Sequence, residues 1–98
     1  MEKSTAVEIL SALAQETRID IFRTIVEYQP VGLPAGKIGE ILALPGATLS
    51  FHLSQLKQAG LIVSTRDGRS LIYSANTDVV EDVAQFLQKD CCSKILES

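Results

Sequence analysis

Two adjacent thiols, Cys91 and Cys92, are the residues of this 98-residue chain most plainly equipped for chemistry. Neighbouring cysteines strain badly when joined to each other, so a disulfide within the pair is disfavoured. As thiolates they suit a soft, thiophilic ion that accepts a small bite, which is favoured over oxidation or persulfide chemistry and over inert thiols at a chain end. Catalysis finds no support elsewhere. The chain lacks a Ser-His-Asp grouping, a phosphate-cradling glycine loop and a Cys-x-x-Cys pair, and an enzyme is not expected. His52, the single histidine, falls at the rim of an apolar stripe, where a packed, hydrogen-bonded ring is favoured over a DNA contact or a pH sensor. Asp78, Glu81 and Asp82 fall in the first turns of a helix, where acids answer the helix dipole, so they are read as dipole partners and not as a metal site.

A second set of residues is built for binding. After the turn signal Pro45-Gly46, Leu49, Leu53 and Leu56 repeat at i, i+4, i+7, the stripe of a helix lying on a core. Opposite it stand Ala47, Ser50, Phe51, Ser54, Gln55 and Gln58, flanked by Thr48 and Lys57, with no carboxylate among them. A merely solvated face would carry Glu and Lys pairs. A small, acid-free face rich in two-way hydrogen bonders suits the edges of DNA bases. An outward Phe51 is costly in water and is better explained by a thymine methyl. Thr48 and Ser50 hydroxyls suit a base edge or phosphate, and Gln55 an adenine. Beyond this helix, Arg66 and Arg69 flank an Asp67-Gly68 hairpin tip and are expected to lie along a minor groove or phosphate ridge. Lys37 and Lys57 are further phosphate candidates, and Arg18 is read as structural.

The elements that must position these residues follow from periodicity. A first helix is expected from a Ser4 cap, with Val7, Leu10, Leu13 and Ala14 inward. A second begins near Gln15 or Glu16 and runs to about Tyr28, burying Ile19, Phe22, Ile25 and Val26. Pro30, Gly32 and Pro34 mark a loop, with Val31 and Leu33 tucked in. A short helix over about 35–44 turns Ile38, Ile41 and Leu42 inward and precedes the Pro45-Gly46 turn. The acid-free helix stops at Gly60, in the usual position just past a helix end. Leu61–Thr65 and Ser70–Ala75 then switch to β-branched strand patterning around the Asp-Gly turn. A last helix runs from Thr77 to about Cys91, with Val79, Val83, Phe86 and Leu87 as its stripe. The fold class is therefore mainly α with a β-hairpin wing, a winged helix-turn-helix in one domain over 1–98. Its helix-turn-helix covers about 35–60 and its wing about 61–75.

Composition sets limits on partners. The chain is 46% hydrophobic and only 21% charged, a surplus of apolar surface that points to a second copy of itself. The terminal helices, about 4–14 and 77–91, would form that dimer seam. A net charge of -3 argues against indiscriminate nucleic-acid binding but allows a DNA-binder whose cations share one face. No apolar run approaches membrane-spanning length and Met-Glu-Lys-Ser is no signal-peptide start, so a cytoplasmic protein with free thiols and no membrane partner is expected.

Three stretches, taken together, carry a resemblance. Leu13-Ala14-Gln15-Glu16-Thr17-Arg18-Ile19 opens the second helix. Thr48-Leu49-Ser50-Phe51-His52-Leu53 and Leu56 lead to Ala59-Gly60-Leu61-Ile62, and Arg66-Asp67-Gly68-Arg69 leads to Tyr73-Ser74. Over roughly residues 5–92 the chain resembles the arsenical-repressor (ArsR/SmtB) family. That resemblance implies a homodimeric winged-helix repressor that leaves double-stranded operator DNA when a metal, metalloid or oxidant reaches a sensor site. The best-known arsenite members carry a cysteine-rich motif on the helix before the turn. Here that segment reads Lys37-Ile38-Gly39-Glu40-Ile41-Leu42. Zinc and nickel members use several histidines, and this chain has His52 alone. Cys91-Cys92 is similar to a subgroup of arsenite sensors with vicinal C-terminal cysteines, which implies trivalent arsenic or antimony as a small inducer and no constitutive cofactor. The subgroup's third cysteine is missing from Ser93–Ser98, so a third ligand would come from the other subunit, a small thiol or water. Two alternatives stay open: the same fold answering thiol oxidation or sulfide, and a winged-helix protein-docking module without ligand sensing.

Overall fold

In the computed structural model, which describes residues 1–94, the chain runs α1 (Lys3–Leu13), α2 (Glu16–Glu27), β1 (Leu33–Pro34), α3 (Ala35–Leu42), α4 (Gly46–Gln58), β2 (Ile62–Asp67), β3 (Ser70–Ala75) and α5 (Thr77–Gln88). The strands form one antiparallel sheet in the order β1-β3-β2. This is the winged helix-turn-helix anticipated above, with one short strand, β1, added beside the hairpin. β1 exists because Leu33 is buried and pairs with Tyr73, while Val31, expected to tuck in beside it, is exposed. Gly32 makes that pairing possible. Its φ is +83°, and a Cβ there would stand 2.5 Å from the Tyr73 carbonyl oxygen.

Among the described residues the largest fully buried side chains are Ile21 and Ile25 of α2, Ile38 of α3, Leu56 of α4, and Leu61 and Ile62 at the entry to β2. The last three meet because of the turn after α4. Gly60 (φ +79°) lets its own N–H donate to the Lys57 carbonyl and the Leu61 N–H donate to the Leu56 carbonyl. This doubly bonded C-terminal turn satisfies two orphan carbonyls and folds the chain directly into the wing. At the far end of β3 the Gln29 side chain acts as a strand partner. Its amide accepts from the Ala75 N–H at 3.1 Å and donates to the Ala75 carbonyl at 3.2 Å.

Several helix faces differ from their expected registers. α1 starts at Lys3 with Glu2 in the cap position, and Ser4 caps nothing. It buries Ala6, Ile9 and Ala12, leaving Val7 and Leu10 exposed. The helix carries two apolar stripes, and the one rich in alanine is the one buried. α2 buries Ile21 in place of Ile19, and α3 ends at Leu42 with Ile41 exposed. α5 ends at Gln88, short of Cys91, and leaves Leu87 exposed while Val83 is buried.

Candidate nucleic-acid interface

α4 lies on the core through its inner stripe. Leu49, Leu53 and Leu56 are buried as expected, so the opposite face is free. Ala47, Thr48, Ser50, Phe51, Ser54, Lys57 and Gln58 are exposed and Gln55 is half-buried. Phe51 keeps 56% of its surface in water, although burying a phenylalanine is worth about 1.5–3 kcal/mol. No acidic residue occurs between Glu40 and Asp67. The carboxylates gather instead on α2, with Glu16, Asp20 and Glu27, and on α5, with Asp78, Glu81 and Asp82. A net-negative chain thus presents one surface without negative charge.

The wing stands beside this face and is tied to it. The Lys57 ammonium donates to the Ser64 hydroxyl of β2 at 2.8 Å. Asp67 pairs with Ser70, so the hairpin loop is Gly68-Arg69, one residue later than the Asp67-Gly68 turn expected. Gly68 takes φ +62°, as the first position of such a two-residue turn requires,. Arg69 therefore projects from the turn itself and Arg66 from the strand, opposite Leu71. Both arginines are exposed. Lys37, on α3, lies 3.6 Å from Glu40. An exposed pair of this kind is worth at most about 1 kcal/mol and does not withdraw Lys37 from other anions.

Behind the face lies a cluster whose interplay the sequence did not display. The Arg18 Nε donates to His52 Nδ1 at 3.2 Å and Nη1 donates to the Ala12 carbonyl at 3.4 Å. The guanidinium carbon sits 5.9 Å from the centre of the Phe51 ring. The Phe51 and His52 rings meet edge to face at 5.6 Å. His52 is buried, packed and hydrogen-bonded, the role favoured for it above. The backbone N–H of Arg18 is itself held by the Gln15 side chain at 2.8 Å, which caps α2.

Cys91 and Cys92 lie beyond α5, not on it. Asp90 (φ 61°) and Cys92 (φ 65°) take left-handed backbone, and the Cys91 N–H returns to the Gln88 carbonyl. The two thiols are free, exposed and in contact, with sulfurs 3.1 Å apart. The helical unwinding that a pair on α5 would need, to aim both sulfurs at one ion, is therefore not required. Hydrogen bonding to Cys92, with a smaller contribution from lost water, pushes the Cys91 thiol above its ordinary value. Among the described residues no group of three or more His, Cys, Asp or Glu side chains gathers to hold a metal ion. Positions 95–98, which hold no further thiol, lie outside the described residues.

Residues 13–65, from the end of α1 into β2, match the family described as "Helix-turn-helix domain". The transcriptional activator HlyU of Vibrio cholerae is 28% identical over 94 residues, covering 94% of this chain and 84% of HlyU. Its solved structure overlays with a TM-score of 0.72 at 28% identity, over 94% of this chain and 99% of that one. The transcriptional repressor SdpR of Bacillus subtilis is 35% identical over 75 residues, covering 76% of this chain and 79% of SdpR. The homodimeric winged helix-turn-helix DNA-binding domain Mb0332 of Mycobacterium bovis shares the fold with a TM-score of 0.73 at 20% identity, over 97% of this chain and 88% of that one. No helix among the described residues is long and apolar enough to cross a membrane.

Proposed function

The chain belongs to the helix-turn-helix domain family, and on that premise we propose that it is a homodimeric, cytoplasmic repressor of the ArsR type that reads operator DNA with α4 and the wing. The observation that carries this reading is the exposed, acid-free face of α4 with the wing fastened beside it through Lys57 and Ser64. Thr48, Ser50, Phe51, Ser54 and Gln55 would meet base edges in the major groove. Arg66, Arg69, Lys57 and Lys37 would meet phosphates and supply most of the affinity, with a steep salt dependence. Two copies of α4 would enter successive major grooves about 34 Å apart on a near-palindromic site. The exposed Val7 and Leu10 of α1 and Leu87 of α5 supply apolar surface for the seam between copies. Repression, and not activation, is taken from SdpR, which is 35% identical against 28% for HlyU.

The proposed inducer is trivalent arsenic or antimony at Cys91 and Cys92. Support comes from two exposed sulfurs already in contact at 3.1 Å, a bite suited to a soft ion. They follow directly on α5, so an ion held there would act on a helix of the seam. A coupling of about 2–3 kcal/mol would lower operator affinity by one to two decades. The same contact suits oxidation or a sulfide-derived species, which is the second reading.

Binding of the protein to DNA upstream of its own gene tests the first part, with Phe51→Ala and Arg69→Ala as controls. No preference for that DNA over a scrambled duplex leaves only the docking-module alternative. Titration with arsenite, followed by sulfur-to-arsenic ultraviolet absorbance, tests the second. No new band with both thiols intact removes the arsenic reading and leaves oxidants or sulfide.

A further inference from the structure

Arg18 is half-buried in the angle between three helices, and every contact of its guanidinium leads toward the reading face or the seam. Nε donates to His52 Nδ1, Nη1 donates to the Ala12 carbonyl, and the cationic carbon lies 5.9 Å from the Phe51 ring centre. No carboxylate among the described residues comes within ion-pair distance of it; the ion pair found there joins Lys37 and Glu40. The cation is balanced instead by a carbonyl at the C-terminal end of α1, where the helix dipole is negative,, and by two aromatic rings. We propose that Arg18 is the positioning residue of the reading head: it sets the direction of Phe51 and the proton placement of His52, and so determines how well α4 discriminates its operator.

Each link follows from elementary chemistry. A guanidinium can only donate, so Nδ1 of His52 must accept, which leaves the ring proton on Nε2. The His52 ring is then fixed on one side by Arg18 and set edge to face against Phe51 at 5.6 Å with an interplanar angle of 63°. Phe51 has little else to restrain it, being 56% exposed, and an aromatic ring free to change rotamer loses discrimination when it must meet one base. The planar fork serves His52, Ala12 and Phe51 at once, which a lysine's single nitrogen cannot. Because the Ala12 carbonyl shares the same guanidinium, the orientation of Phe51 is also referred to α1.

This inference rests on the DNA-binding reading, and the test separates the two. Intact wild type, Arg18→Lys and Arg18→Met are titrated against the upstream duplex and a scrambled duplex over a range of salt. The expected result is a loss of about five- to tenfold in the preference for the upstream duplex, the size a cation–π contact would give, with the wild-type salt slope retained in Arg18→Lys. A salt slope lowered by about one on both duplexes would make Arg18 a phosphate contact and overturn the proposal. An unchanged preference overturns it too. Where a variant unfolds, long-range nitrogen–proton NMR of His52 in the wild type decides instead: a proton on Nε2 supports the assignment and a proton on Nδ1 overturns it. Wild type that binds both duplexes equally removes the DNA reading together with this inference.

Discussion

Lys57 of α4 donates to Ser64 of β2 at 2.8 Å, so the reading helix and the wing share an exposed hydrogen bond at the side where a phosphate backbone would run. Exposed contacts of this kind contribute little to folding, and Ser64→Ala is expected to change unfolding free energy by less than about 0.5 kcal/mol. Their value lies in holding the Lys57 ammonium between two elements. Lys57→Gln is expected to reduce the slope of log affinity against log salt by about one on every duplex. Ser64→Ala should keep that slope. A Lys57→Gln slope equal to wild type would show that the ammonium serves Ser64 alone.

Phe51 and Arg69 should give opposite signatures. Phe51 is largely exposed, so Phe51→Ala is expected to cost under about 1 kcal/mol of stability. Its loss of operator discrimination should be about 1–3 kcal/mol, with the salt slope unchanged. Arg69, in the hairpin turn, is proposed above to meet phosphate and not a base edge. Arg69→Ala should weaken binding to upstream and scrambled duplexes alike and lower the salt slope by about one. Fluorescence anisotropy on the two duplexes, with thermal unfolding alongside, distinguishes these outcomes. Equal losses of discrimination in both variants would contradict the division.

Two backbone positions should respond in opposite directions. Ala43 ends α3 at φ 54°, a left-handed conformation costing a non-glycine residue about 1–2 kcal/mol. Glycine relieves that strain but loses about 0.5–1 kcal/mol to the freedom of the unfolded chain. Ala43→Gly is therefore expected to stabilise the protein by about 0.5–1 kcal/mol, seen as a higher urea midpoint with an unchanged m-value. Gly32→Ala places a Cβ against the Tyr73 carbonyl in a positive-φ residue and should destabilise by more than about 1 kcal/mol.

How much of this was legible depends on whether one local signal decided each element. The stripe of α4, the glycine that ends it and the wing strands were legible because burial, turn chemistry and strand patterning agree at those residues. α1 was not, because Val7 and Leu10 outrank Ala6 and Ala12 in hydrophobicity while the packing selects the smaller side chains. The end of α5 was misjudged because nothing between Gln88 and Cys91 is a helix breaker. The stop comes at Lys89, whose backbone (φ -52°, ψ 133°) leaves the helix one residue before Asp90 turns left-handed. Among the candidate DNA contacts, exposure could be anticipated from helical spacing. The Arg18–His52–Phe51 cluster spans 34 positions between Arg18 and His52, and no periodicity joins residues so far apart. The hairpin turn slipped by one residue because Asp67 pairs with Ser70, a choice between adjacent registers that the dipeptide alone does not make.

The thiol pair offers a pH test that runs against its exposure. Cys91 is exposed, yet its hydrogen bond to Cys92 favours the neutral thiol and raises its pKa. For a group raised in this way, the stabilising contribution is present at lower pH and is lost as pH climbs through the folded value. At about pH 8, alkylation of Cys91 by iodoacetamide should therefore lag behind that of free cysteine, because only the thiolate reacts. The lag should close as pH rises further. Cys92→Ser exchanges the sulfur partner for a weaker-fitting hydroxyl, and Cys92→Ala removes it; the alanine variant should alkylate at Cys91 faster than wild type although a neighbouring nucleophile has been deleted. Mass-spectrometric rates at each cysteine across the pH series check both statements. Cys91 reacting as fast as free cysteine in the wild type would mean the 3.1 Å contact does not persist in solution.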